Sequence, residues 1–395
     1  MPLSNQPISR VAPFVMRSRL PAVGTTLFTV MSQAAIEYQA VNVGQGVPDF
    51  NPPTRLLDCV TEHLHRGHNQ YAPMSGVVAL REAIAAKIER CYLRQVSAQE
   101  EVTITCGGTE AIASSIQALV HPGDEVILLD PAYDSYQPIV ALCGAGVRRL
   151  PLLRPRFSID WQRLKEAITP RTRLLIVNTP HNPSGACLSA ADLDQLAEIL
   201  RPTSIVVLAD EVYEHMVFDG RTHVSVNGHA ELAARSIVVS SFGKTYHATG
   251  WKIGYCVAPA ELTLELRKVH QFVTFSIATP LQYALADFMT EHPQWESELP
   301  NFYQAKRDYF NSLLASTRVV AIPSAATYFQ LVDYSSISDE KDTAFALRLV
   351  KHHGIATIPI SPFSEESPVG ERILRLCFAK SDTALLLAAE RLAAL

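Results

Sequence analysis

Short, almost uninterrupted apolar segments recur through the middle of this chain, and segments with helical patterns lie between them. Apolar residues on both faces of a strand indicate a sheet buried on both sides, and alternation with helices indicates mainly parallel strands. In such sheets, ligands bind just beyond the carboxyl ends of the strands. We therefore look for functional residues directly after these segments. The segments are Val102–Cys106, Glu125–Leu129, Arg173–Val177, Ile205–Ala209, Ser236–Ser240 and Ile253–Val257.

The composition is that of an ordinary globular protein. Of the 395 residues, 48% are hydrophobic and 18% are charged, and at ~100–200 residues per domain the length allows two or three domains. The net charge of −5 and the pI of about 6.2 argue against a nucleic-acid-binding surface, which needs clustered Lys and Arg. No run of about 18 apolar residues predicts a membrane span, and the start, MPLSNQPISR, does not resemble a secretory signal. We expect a cytoplasmic protein that contacts neither nucleic acid nor membrane.

The cysteines and histidines predict neither disulfides nor a metal site. The seven cysteines form no C-x-x-C pair and are odd in number, so we expect buried, reduced thiols. His63, His65 and His68 are spaced by offsets that do not share one helix face, and no H-E-x-x-H motif occurs. We predict no metal.

Two further regions flank the apolar series. Residues 1–45 form a mixed arm with several prolines, and the C-terminal part alternates helices and strands as a smaller α+β domain does. The helical region Pro280–Leu314 should break near Pro293–Pro300. Ser189 with Asp192 predicts a capping box at a helix start. The later elements are predicted as a strand at Thr327–Val332, a helix near Thr343–His352, and strands at Ile355–Ile358 and Ile373–Phe378.

Lys244 lies in Ser241-Phe-Gly-Lys244-Thr-Tyr, directly after a predicted strand. A P-loop would need glycine at the position of Val238. The S-x-x-K motif of acyl-serine enzymes would need S-D-N and K-T-G companions, and neither occurs. Two interpretations stay open: a surface lysine without chemical function, and a lysine that forms an imine with pyridoxal phosphate.

Pyridoxal phosphate needs an imine-forming amine, an anion at its ring nitrogen, donors around its phosphate and a planar group against its ring. Asp210 ends a predicted strand and can supply the anion, while Tyr213 and Asn182 can donate to the phenolic oxygen of the ring. The helix that opens at Gly107-Gly108-Thr109 offers free backbone N–H groups to a phosphate. The other candidates are Ser241 and Lys252 for the phosphate and Tyr133 for stacking.

Four motifs together resemble the class I and II aminotransferases of PLP fold type I. They are Asn178-Thr-Pro-His-Asn182-Pro-Ser-Gly185, Asp210-Glu-Val-Tyr213, Ser241-Phe-Gly-Lys244-Thr and Thr249-Gly-Trp-Lys252-Ile-Gly254. The resemblance runs from Gln45 to Lys380, and through Gln70–Met74 and Ser240–His247 it looks closest to the bacterial methionine aminotransferases, relatives of the kynurenine aminotransferases.

The resemblance implies an α/β fold in which a large domain with a mainly parallel seven-stranded sheet is joined to a smaller α+β domain. The implied division gives residues 1–45 to an N-terminal arm and part of the small domain. Residues 46–285 would form the large PLP-binding domain, and residues 286–395 would form the C-terminal small domain.

The resemblance also implies cofactor contacts at the positions that match the family's motifs. Lys244 would form the Schiff base and carry the proton, and Asp210 would pair with the pyridinium nitrogen. Asn182 and Tyr213 would contact the phenolic oxygen. Tyr71 would reach the phosphate of the neighbouring subunit, which requires a homodimer with shared active sites. The other implied contacts are Tyr133 for stacking and Gly107, Gly108, Thr109, Ser241 and Lys252 for the phosphate. Lys252 departs from the family pattern, because many members carry arginine at this position.

On the substrate side, the resemblance implies that Arg375 binds the α-carboxylate, for which a planar bidentate donor is suited. Phe28 lies in the arm that covers the substrate in this family, and with Tyr71 and Phe363 it would form an apolar, partly aromatic pocket. Such a pocket favours methionine, leucine or phenylalanine over aspartate, although Phe28 and Phe363 could equally be core residues. The groups that would assist Arg375 are the backbone of Gly46 and the side chain of Asn182.

The implied activity is transfer of the α-amino group of an apolar or aromatic amino acid, with methionine favoured, to a 2-oxo acid. A β-lyase acting on cysteine conjugates is the alternative on the same scaffold. A non-catalytic PLP-binding regulator would carry a fused DNA-binding region, and neither a helix-turn-helix pattern nor a basic patch occurs in the first ~45 residues.

Overall fold

The computed structural model describes residues 16–365 and 371–395, so the first part of the predicted arm and residues 366–370 lie outside the described residues. In the described part, the α-helices are α1 (Leu27–Glu37), α2 (Thr54–His65), α3 (Val78–Tyr92), α4 (Gly107–Leu119), α5 (Tyr136–Leu142), α6 (Trp161–Ala167), α7 (Ala190–Leu200), α8 (Ala230–Ala233), α9 (Phe242–Thr245), α10 (Ala260–Val273), α11 (Thr279–Glu291), α12 (Trp295–Leu314), α13 (Asp342–His353) and α14 (Asp382–Ala393). The strands are β1 (Val41–Asn42), β2 (Val102–Thr105), β3 (Glu125–Asp130), β4 (Gly146–Pro151), β5 (Thr172–Asn178), β6 (Val206–Asp210), β7 (Ser236–Ser241), β8 (Gly254–Val257), β9 (Val320–Ala321), β10 (Phe329–Asp333), β11 (Ile355–Ala356), β12 (Ile358–Pro359) and β13 (Ile373–Cys377).

A seven-stranded sheet forms the centre of the molecule, in the order β2-β8-β7-β6-β5-β3-β4. Strand β8 is antiparallel to both of its neighbours, and the pairs between β7 and β4 are parallel. The predicted mainly parallel sheet is therefore confirmed. The prediction missed β4, an edge strand whose mixed sequence Gly-Val-Arg-Arg-Leu-Pro leaves most of its side chains partly or fully exposed.

The two faces of this sheet are covered by helices, as the apolar strands predict. Along β5, Leu174 and Ile176 pack into a core cluster that contains residues of α4. Leu175 and Val177 point to the opposite face and pack into a cluster that contains residues of α7. Because alternate side chains leave a strand on opposite faces, a strand buried on both sides is apolar at nearly every position or carries small polar residues, as Thr103 in β2 and Ser240 in β7 do.

Two smaller sheets lie in the C-terminal part, and the N-terminal segment joins them. Strands β12, β13, β10 and β9 form a four-stranded antiparallel sheet. Strand β1 pairs in parallel with β11, and α1 contacts α13. The predicted strand Ile355–Ile358 is thus two short strands in different sheets. Helix α11 runs across the predicted boundary at residue 285 and packs against α2, and the division into domains stays a prediction.

The predicted helix break was too long at its C-terminal end. The chain interrupts the helix only at residues 292–294, between α11 and α12, and Pro300 lies inside α12. A proline early in a helix removes one backbone hydrogen bond without ending the helix when packing compensates. Here the indole Nε1 of Trp295 donates to the carbonyl of Thr245 at 2.9 Å and fixes the start of α12. The capping box of Ser189 and Asp192 on α7 is confirmed.

The seven cysteines are free, and the prediction that all of them are buried is wrong for four. Cys91 lies in the last turn of α3 and is exposed. The half-buried cysteines are Cys106, Cys143 and Cys187, and the buried ones are Cys59, Cys256 and Cys377. Residues 16–365 and 371–395 contain no group of three acidic, His or Cys side chains placed to hold a metal ion. Across those same residues, no helix has the length and apolar character to span a bilayer. The predicted cytoplasmic location stays a prediction.

Candidate active site

A cavity of about 700 Å³ lies at the carboxyl ends of β5, β6 and β7, where the α/β pattern predicts a ligand site. Gly107 lies beside this cavity without lining it. Tyr71 does not line the cavity either, since its side chain lies elsewhere on this chain and is 83% exposed. The predicted residues that line the cavity are Phe28, Gly46, Gly108, Thr109, Tyr133, Asn182, Asp210, Tyr213, Ser241, Lys244, Lys252 and Arg375.

Lys244 is placed in the cavity by the short helix α9, which follows β7 directly. Its Nζ donates to the hydroxyl of Tyr328 at 3.0 Å and lies 5.6 Å from the ring centre of Tyr213. Burial lowers the pKa of the Lys244 amine to about 8, and the positive charges of Lys252 and Arg375 act in the same direction. A substantial fraction of this amine is therefore neutral just above neutral pH.

Asp210 is the last residue of β6 and is 4% exposed. Its Oδ2 accepts from the hydroxyl of Tyr136 at 2.5 Å, and its Oδ1 accepts from the backbone N–H of Val212 at 3.3 Å. Burial raises the pKa of the carboxyl, and these hydrogen bonds oppose that shift. A buried carboxylate is costly without a cationic partner. A protonated ring nitrogen in the cavity would supply such a partner.

Asn178 positions Asn182 relative to Asp210. The Asn178 amide donates to the backbone carbonyl of Asp210 at 2.9 Å, and its Oδ1 accepts from the N–H of Asn182 at 2.8 Å. Strands β5 and β6 pair with Asn178 opposite Asp210. The loop that carries Asn182 is thus tied to the strand end that carries the carboxylate.

The start of α4 and the residue Lys252 form one end of the cavity. Gly107 opens α4 at φ +69°, and a Cβ at this position would lie 3.2 Å from Nζ of Lys252. Glycine therefore permits both the left-handed backbone and the close approach of the ammonium group. The unpaired N–H groups of a helix start together with a lysine suit a phosphate dianion. Thr109 and Ser241 line the same cavity.

Arg375, on β13, is 1% exposed and is held from several sides. Its Nη1 donates to Oδ1 of Asn182 at 2.7 Å, and its Nη2 donates to the carbonyl of Gly44 at 3.2 Å. Its guanidinium carbon lies 3.9 Å from the ring centre of Phe329. The Nε is buried without a hydrogen-bond partner in the structure. A guanidinium with such an orphaned donor, facing a cavity, can bind a carboxylate.

Phe28 and Phe363 cover the other side of this guanidinium. Their ring centres lie 5.3 and 5.4 Å from the guanidinium carbon of Arg375, and the two rings meet edge to face at 5.7 Å. Phe28 lines the cavity, whereas Phe363 is buried behind it at 2% exposure. The structure thus assigns Phe28 to the cavity wall and Phe363 to its support.

The sequence analysis missed two tyrosines that orient the central groups. Tyr136 donates to Asp210 from the first position of α5, three residues after Tyr133. Tyr328 accepts from Lys244 and donates to the carbonyl of Gly46 at 2.6 Å. No local pattern marks Tyr328, because it lies far from Lys244 along the chain and only the fold brings the two together.

A buried ion pair supports the site from behind. Glu214 follows Tyr213 and pairs with Lys87, and both side chains are almost fully buried. Glu214 also accepts from the hydroxyl of Ser240, the residue before Ser241. Lys87 and these hydrogen bonds hold the pKa of Glu214 far below its usual range despite burial. The ion pair links the loop after β6 to α3, and the Ser240 hydrogen bond links that loop to the end of β7.

Comparisons with known proteins agree on one family. The family described as aminotransferase class I and II matches residues 38–392. The methionine aminotransferase of Escherichia coli (strain K12) is 50% identical over 380 residues, covering 96% of this chain and 98% of the relative. A solved structure of a methionine aminotransferase from Escherichia coli has a TM-score of 0.94 at 49% identity, covering 97% of this chain and 100% of that chain. Kynurenine–oxoglutarate transaminase 3 of Mus musculus is 32% identical over 401 residues, covering 94% of this chain and 88% of the relative.

Proposed function

The chain belongs to the class I and II aminotransferases, and from that premise we propose that it transfers the α-amino group of an apolar or aromatic amino acid, with methionine favoured, to a 2-oxo acid. One observation supports this most directly. The Arg375 guanidinium, with its orphaned Nε, faces the cavity that holds the Lys244 amine and the Asp210 carboxylate. The methionine aminotransferase of Escherichia coli, at 50% identity, supports the choice of substrate.

Members of this family use pyridoxal phosphate, which when bound withdraws electrons from the substrate's α-carbon and accepts its amino group. We propose that Lys244 holds this cofactor covalently, that Asp210 faces the ring nitrogen and that Tyr133 lies against the ring. Asp210 is buried and forms no ion pair with any described residue, although the Lys244 charge acts on it at longer range. This carboxylate and the glycine-lined start of α4 beside Lys252 support the fit. The remaining contacts would be Asn182 and Tyr213 at the phenolic oxygen and Gly107, Gly108, Thr109, Ser241 and Lys252 at the phosphate.

The proton transfers would run through Nζ of Lys244. Its pKa of about 8 provides neutral amine near neutral pH, and a catalytic base works best when its pKa is close to the working pH. Tyr328 holds this amine at 3.0 Å. The neutral Nζ can therefore take the proton from the α-carbon and hold it inside the cavity.

Binding of the amino acid would rest on Arg375 and the rings around it. Arg375 would take the α-carboxylate through Nε and an Nη, while Asn182 and the backbone of Gly46 keep the guanidinium and its surroundings in place. The rings of Phe28 and Phe329 leave an apolar wall beside it. An apolar wall favours a thioether or aromatic side chain over a second carboxylate, which would be buried without a partner.

A homodimer would complete the site, and we propose that Tyr71 of each subunit contacts the phosphate in the other. On this chain, the Tyr71 ring is exposed and packs edge to face on Phe275 at 5.4 Å. Phe272, nearby on α10, is 86% exposed. A cluster of exposed aromatic side chains supports burial by a partner subunit.

The substitution Lys244→Ala tests the proposal at its centre. We expect it to abolish repeated turnover and the visible absorption band of the covalently bound cofactor, because no other described lysine side chain except Lys252 lines the cavity. Lys252→Ala is the matched control, and it should weaken cofactor binding while leaving that absorption band at saturating cofactor. A Lys244→Ala variant that keeps both turnover and the band would exclude the assignment.

The substitution Arg375→Ala tests the carboxylate site. We expect a rise in KM of at least about tenfold with the cofactor still bound, because a charge-assisted bidentate contact of about 1.5–3 kcal/mol is lost. Arg372→Ala is the control, since Arg372 precedes the same strand and pairs with Asp339 at 2.8 Å outside the cavity. Loss of the cofactor in Arg375→Ala, with KM unchanged, would assign Arg375 a different function.

A donor panel separates aminotransfer from β-elimination. Amino acids with apolar, aromatic and acidic side chains are paired with several 2-oxo acids, and cysteine conjugates are included. We expect oxo-acid formation with methionine and aromatic donors and little with aspartate. Pyruvate and ammonia released from cysteine conjugates, without oxo-acid formation from methionine, would favour the β-lyase.

A further inference from the structure

A second cavity of about 670 Å³ lies behind the first. Tyr133 and Asn178 line both cavities and separate them. Its other walls are the turn 152–159, in which Leu153 and Ser158 bridge, the loop 184–188, and Pro323–Ala325 from the C-terminal part. The N–H of Ala325 donates to the carbonyl of Gly185 at 3.2 Å. The cavity therefore lies where the central sheet's loops meet the C-terminal part.

The lining combines apolar walls with unpaired positive charge. Two carboxylates in the lining are already engaged, because Asp192 accepts from the N–H and hydroxyl of Ser189 and Asp219 accepts two hydrogen bonds from Arg307 at 2.6 and 2.8 Å. By contrast, the guanidinium groups of the two exposed arginines in the lining, Arg156 and Arg221, make no hydrogen bond or ion pair with any described residue, and the charge of Arg221 acts on Asp219 only at longer range. The apolar residues of the lining include Leu129, Leu152, Phe157, Ile159 and Ile176.

We propose that this second cavity binds a small monocarboxylate with an apolar body. The carboxylate would contact Arg156 and Arg221, since guanidinium groups pair with carboxylates through charge-assisted hydrogen bonds. The apolar body would lie against Phe157 and the strand ends, as in most small-molecule sites. The carboxylates of Asp192 and Asp219 already have hydrogen-bond partners, so the ligand needs no amino group to neutralise them.

The occupant would act on the first cavity through the shared wall. Tyr136 lines the second cavity, and its hydroxyl donates to Asp210 at 2.5 Å. A ligand that contacts Tyr136 therefore changes the surroundings of the carboxylate in the first cavity without entering it. The site would be regulatory, and its ligand would belong to the same chemical class as an apolar 2-oxo acid.

Equilibrium dialysis of the holoenzyme with 3-phenylpropanoate tests the proposal. This probe has the carboxylate and the apolar body but neither an amino nor an oxo group, so it is not turned over. We expect two molecules per chain, one at Arg375 and one in the second cavity. Arg156→Gln combined with Arg221→Gln should lower the affinity of the second site at least about tenfold, because its charge-assisted hydrogen bonds are lost. The control pair, Arg148→Gln with Arg201→Gln, removes exposed arginines outside the cavity and should keep both sites.

Three results would each overturn the proposal. The wild type could bind only one molecule per chain, the variant with Arg156→Gln and Arg221→Gln could keep both sites, or the control variant with Arg148→Gln and Arg201→Gln could lose as much affinity at the second site. Ser158→Trp gives an independent check, because it fills the exposed side of the cavity and should also leave one site. Kinetics add a second readout, which rests on the proposed aminotransferase activity. Part of the inhibition by 3-phenylpropanoate should persist at excess amino acid in the wild type, and this part should be absent in the variant with Arg156→Gln and Arg221→Gln. Dialysis does not need that activity, so failure of one proposal can be told from failure of the other.

Discussion

Removing the hydroxyl of Tyr328 should lower the pKa of Lys244 further. In the structure, this hydroxyl accepts from Nζ of Lys244 at 3.0 Å, and its own proton goes to the carbonyl of Gly46 at 2.6 Å. An acceptor stabilises the ammonium form more than the neutral amine, because the charged donor forms the stronger hydrogen bond. Tyr328→Phe therefore takes support away from the protonated form. The pKa of Lys244, about 8 in the wild type, should fall.

The size of the shift follows from the hydrogen bond that is lost. A hydrogen bond to a charged group contributes about 1.5–3 kcal/mol, and one between neutral groups contributes about 1 kcal/mol. The difference that acts on the protonation equilibrium is about 0.5–2 kcal/mol, and one pKa unit corresponds to about 1.4 kcal/mol. We expect the pKa of Lys244 to decrease by about 0.4–1.4 units in Tyr328→Phe.

The rate at which cofactor-stripped enzyme takes up pyridoxal phosphate reports this pKa, since only the neutral amine attacks the aldehyde. Measured by stopped-flow absorbance from pH 6 to 10, the rate should rise through a midpoint near pH 8 in the wild type and at lower pH in Tyr328→Phe. Tyr303→Phe is the matched control, because the Tyr303 hydroxyl is buried and makes no hydrogen bond in the structure. A midpoint that stays or rises in Tyr328→Phe, or an equal fall in Tyr303→Phe, would refute the reasoning.

Two further predictions concern the groups around the site. Lys87→Met should destabilise the protein by about 3–5 kcal/mol in urea unfolding, because it leaves the Glu214 carboxylate buried without its ammonium partner. Adding Glu214→Gln to this variant should restore part of the lost stability. A double variant no more stable than Lys87→Met alone would contradict this explanation. Gly107→Ala should weaken cofactor binding about tenfold, because its Cβ would press on Nζ of Lys252. Gly67→Ala shares the positive φ but has open space around it, so it should cost stability without affecting the cofactor, and equal binding losses in both variants would count against crowding.

The central sheet and most of the site could be predicted because their signals are local. The buried strands are mainly apolar, and the polar residues that follow them stand at the sheet edge where ligands bind. Asp210 and Lys244 come together in this way, since β6 and β7 are neighbours. Arg375 was reached through the family resemblance, and no periodic pattern selects it.

What the sequence did not reveal depends on contacts between distant segments. Tyr328 reaches Lys244 only because the C-terminal part folds over the central sheet. Lys87 looks like a surface lysine in a helical pattern until Glu214 is found beside it. Pro300 appeared to end a helix, but tertiary packing outweighs the local cost of one missing backbone hydrogen bond.

The reversed direction of β8 has a consequence for how this protein can vary. Strand β7 ends at Ser241, the segment 242–253 turns back, and β8 returns beside the start of α4 with Gly254 opposite Thr105. One turn therefore delivers Lys244 at its beginning and Lys252 near its end. A single inserted or deleted residue there would move the two charges out of register with each other, so we expect the length of this turn to tolerate no change.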